Sequence, residues 1–275
     1  MERELAVIMT VHNRKDQTML CLEHLFQETV PFDLYVTDDG CTDGTADAIA
    51  ELYPSARIIK GDGSLFWNRG MYVAFAEALE HKYRYYLWLN DDTIIVKSTL
   101  SILVSFSLNE GESSILCGAC VDQNSKITYG GYTSDFKLIS LSEDAQECSF
   151  ASGNIFFIPS SVAHILGNLD YYYRHSLGDF DYGGRAIKAG IKIIQLPSYL
   201  GYCEDHINIP KWRDVNYSFI GRVKNLYSPL GQNPLELFHF DKKINGMLYA
   251  IVRSFKVHLR CAFPKLWKGK YNVKC

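Results

Sequence analysis

At 275 residues with 47% hydrophobic side chains, the chain is long enough to bury one large core or two small ones, and too apolar to be disordered. It holds no apolar run near the roughly 18 residues of a membrane span and no basic-then-apolar leader before Leu5, so a cytosolic setting is expected. The formal charge of −3 hides a split, because residues 240–275 carry nine Lys/Arg against one acid, Asp241, while the first 239 hold 19 basic and 30 acidic residues, a polarity that argues against a nucleic-acid-binding body.

Leu5 to Val11 reads as a first strand, followed by a helix from about Lys15, a strand over Phe32 to Thr37, a helix from about Thr42, a strand over Arg57 to Lys60 and a helix from about Asn68 to His81. Tyr85 to Leu89 adds a strand, Lys97 to Leu108 a helix and Ser114 to Val121 another strand, the rhythm of a doubly wound, mostly parallel sheet. Residues 122–158 read as short antiparallel strands at the sheet edge, with turns at Gly130-Gly131 and Ser152-Gly153-Asn154. Asp179 to Ala189 reads as a helix closed by Gly190, Ile191 to Leu196 as a last core strand stopped by Pro197, and Leu235 to Trp267 as helix. Cys117-Gly-Ala-Cys120 has metal or redox spacing but no second pair, so the eight cysteines read as reduced thiols and this pair as strand packing.

Chemistry gathers where strands end. Tyr85 to Leu89 runs into Asn90-Asp91-Asp92, and adjacent carboxylates beyond a buried strand suit a hard cation such as Mg²⁺ or Mn²⁺ bound with substrate phosphates. A solvated turn capped by Asp92 or Thr93 is the other reading. Thr37-Asp38-Asp39-Gly40-Cys41-Thr42-Asp43 repeats the pattern; helix capping accounts for Thr42 and Asp43, and Asp39 is left as a ligand for a nucleobase or ribose or as part of a solvated turn. In Gly61-Asp62-Gly63-Ser64-Leu65-Phe66-Trp67-Asn68-Arg69, the glycines allow close backbone approach and Trp67 can pack on a ring, or simply fill the core.

Together these segments resemble the family 2 glycosyltransferases of the GT-A fold. Val7 to Arg14 looks like the family's first strand and its Thr-x-x-Asn-Arg turn, and Asp38 to Thr45 its Asp-Asp-Gly-Ser-Thr-Asp-Gly-Thr with Cys41 for Ser. Asn90-Asp91-Asp92 stands at the family's Asp-x-Asp, its first carboxylate replaced by an amide, and Gly178-Asp179-Phe180-Asp181 at the Glu-Asp segment of the catalytic base, with Gly178 departing from Glu. The Gly61 to Met71 segment is similar to a rhamnosyltransferase-like branch of bacterial surface polysaccharide synthesis, such as capsule or lipopolysaccharide.

The resemblance implies an α/β GT-A domain over 1–232, with a nucleotide-sugar half to about 121 and an acceptor half beyond it, and a basic tail over 233–275. It implies that Thr10, His12, Asn13, Arg14, Asp38, Asp39, Asp62, Gly63, Trp67, Asn68, Asn90 and Asp91 lie on the side of a UDP- or dTDP-sugar, and that Asp92 with His206 holds Mg²⁺ or Mn²⁺. Asp179 is then the base that deprotonates a glycan or lipid-linked hydroxyl for inverting transfer, with Asp181 as its rival or a residue favoured by the helix dipole. Lys211, Trp212 and Arg213 read as a mobile basic loop for the diphosphate or an exposed turn. In the tail, Met247, Leu248, Ile251, Val252, Phe255, Leu259 and Phe263 recur at spacings of three and four among basic residues, a face for an anionic membrane on the inner side of the cell, for the body, or for a second subunit. Two other functions use similar parts. A nucleotidyltransferase should carry a glycine-rich basic loop after its first strand, where this chain has His12-Asn13-Arg14-Lys15; a non-catalytic glycan- or nucleotide-binding partner has no need of Asp92 and Asp179.

Overall fold

A computed structural model describes residues 4–205 and 210–267. In chain order the elements are β1 (Leu5–Val11), α1 (Lys15–Leu25), β2 (Phe32–Asp38), α2 (Thr45–Leu52), β3 (Arg57–Lys60), α3 (Phe66–Leu79), β4 (Tyr85–Leu89), β5 (Ile94–Ile95), α4 (Thr99–Asn109) and β6 (Ile115–Val121). Then come β7 (Ile127–Tyr129), β8 (Gly131–Tyr132), β9 (Gln146–Cys148), β10 (Phe150–Ala151), β11 (Ile155–Pro159), α5 (Ser160–Leu166), α6 (Gly178–Lys188) and β12 (Ile193–Tyr202). Three helices close the chain, α7 (Phe219–Tyr227), α8 (Pro234–Ile244) and α9 (Met247–Ala262).

The main sheet runs β3-β2-β1-β4-β11-β6-β12-β5 among the described residues. Strands β3, β2, β1 and β4 are parallel, as the βαβ rhythm predicts. Strand alternation divides the core by face: Leu5, Val7 and Met9 of β1 pack into one layer, while Ala6 and Ile8 face the other. Strand β4 is buried on both faces, and Trp88 stacks on Phe156 of β11 at 4.8 Å between ring centroids. Helix α3 approaches β1 closely because Gly70 has no side chain; a Cβ there would lie 2.1 Å from Thr10 Oγ1.

Three expectations need correction. The apolar run β11 does not join the edge but sits antiparallel between β4 and β6. Strand β12 does not stop at Pro197: it continues to Tyr202 through register shifts against β6 between Gln195 and Gly201, an irregularity of the kind that accommodates proline. The C-terminal helix is broken at Asn245-Gly246, with Gly246 at φ 92°, so α8 and α9 are separate helices that pack on each other. Cys117 and Cys120 face opposite core layers and are free thiols, as strand packing requires.

Candidate functional site

Because β2, β1 and β4 are adjacent and parallel, the segments after them open at one sheet edge, the place where open α/β sheets collect ligands. After β2, the Asp39 carboxylate accepts from the backbone N–H groups of Gly63 at 2.8 Å, Leu65 at 3.2 Å and Phe66 at 2.8 Å, and the residue is only 3% exposed. Its oxygens therefore organise the turn that carries Trp67. Close approach of the two turns needs glycine, since a Cβ on Gly40 would meet the Gly63 Cα at 2.9 Å. His12 Nδ1 lies 2.6 Å from the Asp39 carbonyl, so that nitrogen carries the proton. Asn13, at φ 51°, accepts from the Thr42 N–H at 2.7 Å. Asp38 accepts from Cys41 N–H at 2.8 Å, Asp62 from Ser64 N–H at 2.8 Å, and Thr10 donates to the Thr37 carbonyl at 3.4 Å. Thr10, His12, Asn13, Asp38, Asp39, Asp62 and Gly63 do not line the cavity at Asp92; their hydrogen bonds hold the turns after β1, β2 and β3 together.

Arg14, Trp67, Asn90, Asp91 and Asp92 share a cavity of about 410 Å³ with Asp179. Trp67 Nε1 donates to Asn90 Oδ1 at 2.7 Å, which gives the amide in place of a carboxylate a partner. One guanidinium holds both acids: Arg14 reaches Asp91 at 3.3 Å and Asp92 at 2.5 Å. Asp91 also accepts from Thr18 Oγ1 at 3.3 Å, and burial pushes its carboxyl up to about 6 despite Arg14. Arg14 sets one positive charge against these two carboxylates. The donor set is hard oxygen and fits Mg²⁺ or Mn²⁺. Among the described residues no group of three or more His, Cys, Asp or Glu side chains is placed to hold a metal ion. His206 lies outside the described residues.

The antiparallel direction of β11 completes the site. It brings the turn before β11 beside the end of β4, where the Asn90 N–H donates to the Asn154 carbonyl at 3.3 Å. Within that turn the Gly153 N–H donates to Asp179 Oδ2 at 3.0 Å, and the Phe180 N–H to Asp179 Oδ1 at 2.9 Å. A Cβ on Gly153 would lie 2.4 Å from the Trp67 ring, so the turn can sit this close only as glycine. Burial lifts the Asp179 carboxyl to about 6, with the two backbone N–H groups offsetting part of that rise. A carboxylate of this kind is ionised at neutral pH and basic enough to accept a proton.

Asp181 is placed differently. It is fully buried and outside the cavity lining, paired with Arg185 at 2.9 Å and Lys243 at 2.8 Å, with Tyr173 OH at 3.2 Å. Asn68 is also fully buried and off the cavity, where its amide donates to the Asp170 carbonyl at 2.9 Å and the Tyr173 carbonyl at 2.8 Å. That amide explains the departure at 178, since a Cβ on Gly178 would lie 1.6 Å from Asn68 Oδ1. The Lys211–Arg213 turn is a short 3-10 helix whose Trp212, 4% exposed, packs with Leu226, Leu237 and Val257 and does not line the cavity.

Sequence reading missed several wall residues. His175 lines the cavity with a buried Nδ1 that has no hydrogen-bond partner among the described residues, and burial beside Arg14 lowers its pKa, so it is neutral at pH 7. Its position three residues before Gly178, in the segment leading to Asp179, is the only signal the sequence offers. Tyr132, Phe136 and Phe180 give the far end an aromatic wall, and Arg253 of α9 closes it, paired with Asp241 at 2.9 Å and lying over Phe136 at 5.4 Å.

A family model described as glycosyl transferase family 2 matches residues 6–165, which include Asp38-Asp39 and Asn90-Asp91-Asp92 but not Asp179. Among solved structures the chain is similar to the mannosyltransferase PcManGT from Pyrobaculum calidifontis in complex with GDP-Man and Mn²⁺, with TM-score 0.58 and 16% identity over 98% of this chain and 76% of that one. It is also similar to S. aureus TarS 1–349 in complex with UDP-GlcNAc, with TM-score 0.56 and 13% identity over 96% and 87% of the two chains. Against S. aureus TarS the TM-score is 0.55 at 14% identity over 98% of this chain, which spans 46% of that chain's length. At such identities the likeness is one of fold, the GT-A fold that the ordered motifs imply. A comparison with curated proteins finds no match.

Proposed function

The chain belongs to glycosyl transferase family 2, and on that premise we propose that it moves a sugar from a nucleoside diphosphate donor to a hydroxyl of a glycan or lipid-linked saccharide, with inversion. One observation carries the reading: Asp179 faces the same cavity as Arg14, Asn90, Asp91 and Asp92, although these residues come from distant parts of the chain. Nucleoside diphosphate sugars held by the two structural neighbours support a donor of this class, here UDP-, dTDP- or GDP-linked.

In this reading residues 1–232 are the transferase unit and 233–275 its tail. The turns after β1 and β2, cross-linked by Asp39, His12 and Asn13, form the nucleotide end, and Trp67 with Asn90 fixes the wall beside the sugar. Asp92, with Asp91 behind it, would hold Mg²⁺ or Mn²⁺, which when bound supplies charge to offset the leaving diphosphate. Arg14 offers its guanidinium fork to the same phosphates. Neutral His175 lines the same cavity beside the donor or acceptor. The acceptor ring packs on Tyr132, Phe136 and Phe180, and Asp179 takes its hydroxyl proton as the oxygen bonds to the anomeric carbon and the carbon–diphosphate bond breaks.

Nucleoside diphosphate release from a panel of UDP-, dTDP- and GDP-sugars, with Mg²⁺ or Mn²⁺ and a bacterial glycolipid extract as acceptor, tests this. The expected result is release from one donor class, lost in Asp92→Ala. Absence of release from every donor, from protein that binds nucleotide, would overturn it.

A further inference from the structure

Helix α9 packs inward through Ala250, Val257 and Cys261, all buried, while Leu248 is 76% exposed, Phe255 64% and Ile251 52%. At about 100° per residue, Met247, Leu248, Ile251, Val252 and Phe255 fall in one arc away from the packed stripe. None of them belongs to a core cluster among the described residues. Phe263 and Leu266 extend the apolar surface past the helix end, and exposed Lys256 and Lys265 stand beside it. Apolar faces of this kind on a protein surface mark a binding partner.

We propose that this face lies on an anionic lipid bilayer. Charge decides between partners. The only acid in residues 240–275 is Asp241, which is fully buried and paired with Arg253; Lys243 is paired with Asp170 and Asp181 of the body, and Lys256 and Lys265 are exposed with no acidic side chain of their own segment to meet. A symmetric dimer through the same arc would set two such basic rims against each other. An anionic surface instead receives the Leu, Ile and Phe side chains at its acyl boundary and the lysines at its headgroups. No helix among the described residues is long and apolar enough to cross a membrane, so the helix lies on the surface. Arg253 is on the same helix and walls the cavity, which sets the site next to that surface. Docking goes beyond the proposed reaction and does not depend on it.

The test is co-sedimentation of the full chain with vesicles of phosphatidylglycerol and phosphatidylcholine, and of phosphatidylcholine alone, at low and high salt. Binding is expected on the anionic vesicles, falling with salt, and weakening roughly fivefold for each of Lys256→Gln and Lys265→Gln. Phe255→Ser should weaken it further, with thermal melting of all three variants unchanged because these side chains are exposed. Failure to bind anionic vesicles, or equal binding by wild type and all variants, would overturn the proposal. So would a dimer in sedimentation velocity that Phe255→Ser dissociates, which would assign the face to a second copy.

Discussion

Burial gives Asp179 two opposed properties. With its carboxyl lifted to about 6, Asp179 in the proposed role of base would be protonated and idle in acid, so kcat/KM should fall about tenfold per pH unit below about pH 6 and level off above it. The same shift costs stability: the unfolded carboxyl ionises near pH 4, so across the interval from there to about pH 6 the native state binds the extra proton and stability drops as pH rises. Asp179→Asn should therefore melt higher than wild type at pH 7, with a smaller gap at pH 4, which paired melting curves check. Asp181 gives the opposite pattern. Asp181→Asn leaves the Lys243 and Arg185 charges without their buried partner and should cost on the order of 3 kcal/mol in urea unfolding, while turnover per folded molecule stays near wild type. Gly178 and Asn90 are the two departures from the family's motifs. Each has a local cause, the Asn68 amide against Gly178 and the Trp67 indole on Asn90.

Strand β11 shows what an apolar run conceals. Ile155 to Pro159 is buried at every position, and a segment covered on both faces has no alternation to reveal its neighbours or direction, so its place between β4 and β6 was not legible. Short, clearly punctuated elements were: β1, β3 and β4 fall on the residues expected. Gly246 was overlooked because the three-and-four apolar spacing runs on from α8 into α9, and a single glycine weighs little against such periodicity. The insertion of β11 carries the functional geometry, since its leading turn touches Trp67, Asn90 and Asp179 at once. Gly153→Ala should push the Trp67 ring off Asn90 and weaken nucleotide-sugar binding about two- to tenfold through the lost hydrogen bond. Isothermal calorimetry of the variant reads this directly; unchanged affinity would detach that contact from the donor site.

Across the molecule, legibility follows how the site is assembled. Arg14, Trp67, Asn90, Asp91, Asp92 and Asp179 stand in local motifs after strands or at a helix start, so their spacing was readable, and the fold brings all six to one cavity. Asn68 and Asp39 carry the same motif signals but are taken up by the carbonyls and N–H groups of neighbouring loops, which one-dimensional spacing does not show. His175, Phe136 and Arg253 reach the cavity only by packing of separate segments, so no motif announces them. In the proposed reaction Asp179 is the base of a sugar-transfer site whose nucleotide end is built independently of it. The most direct measurement pairs transfer rate with nucleoside diphosphate affinity in Asp179→Asn. Unchanged affinity and turnover lower by about 10²–10⁴-fold are expected; turnover near wild type, or loss of nucleotide binding in a folded variant, would remove Asp179 from that role.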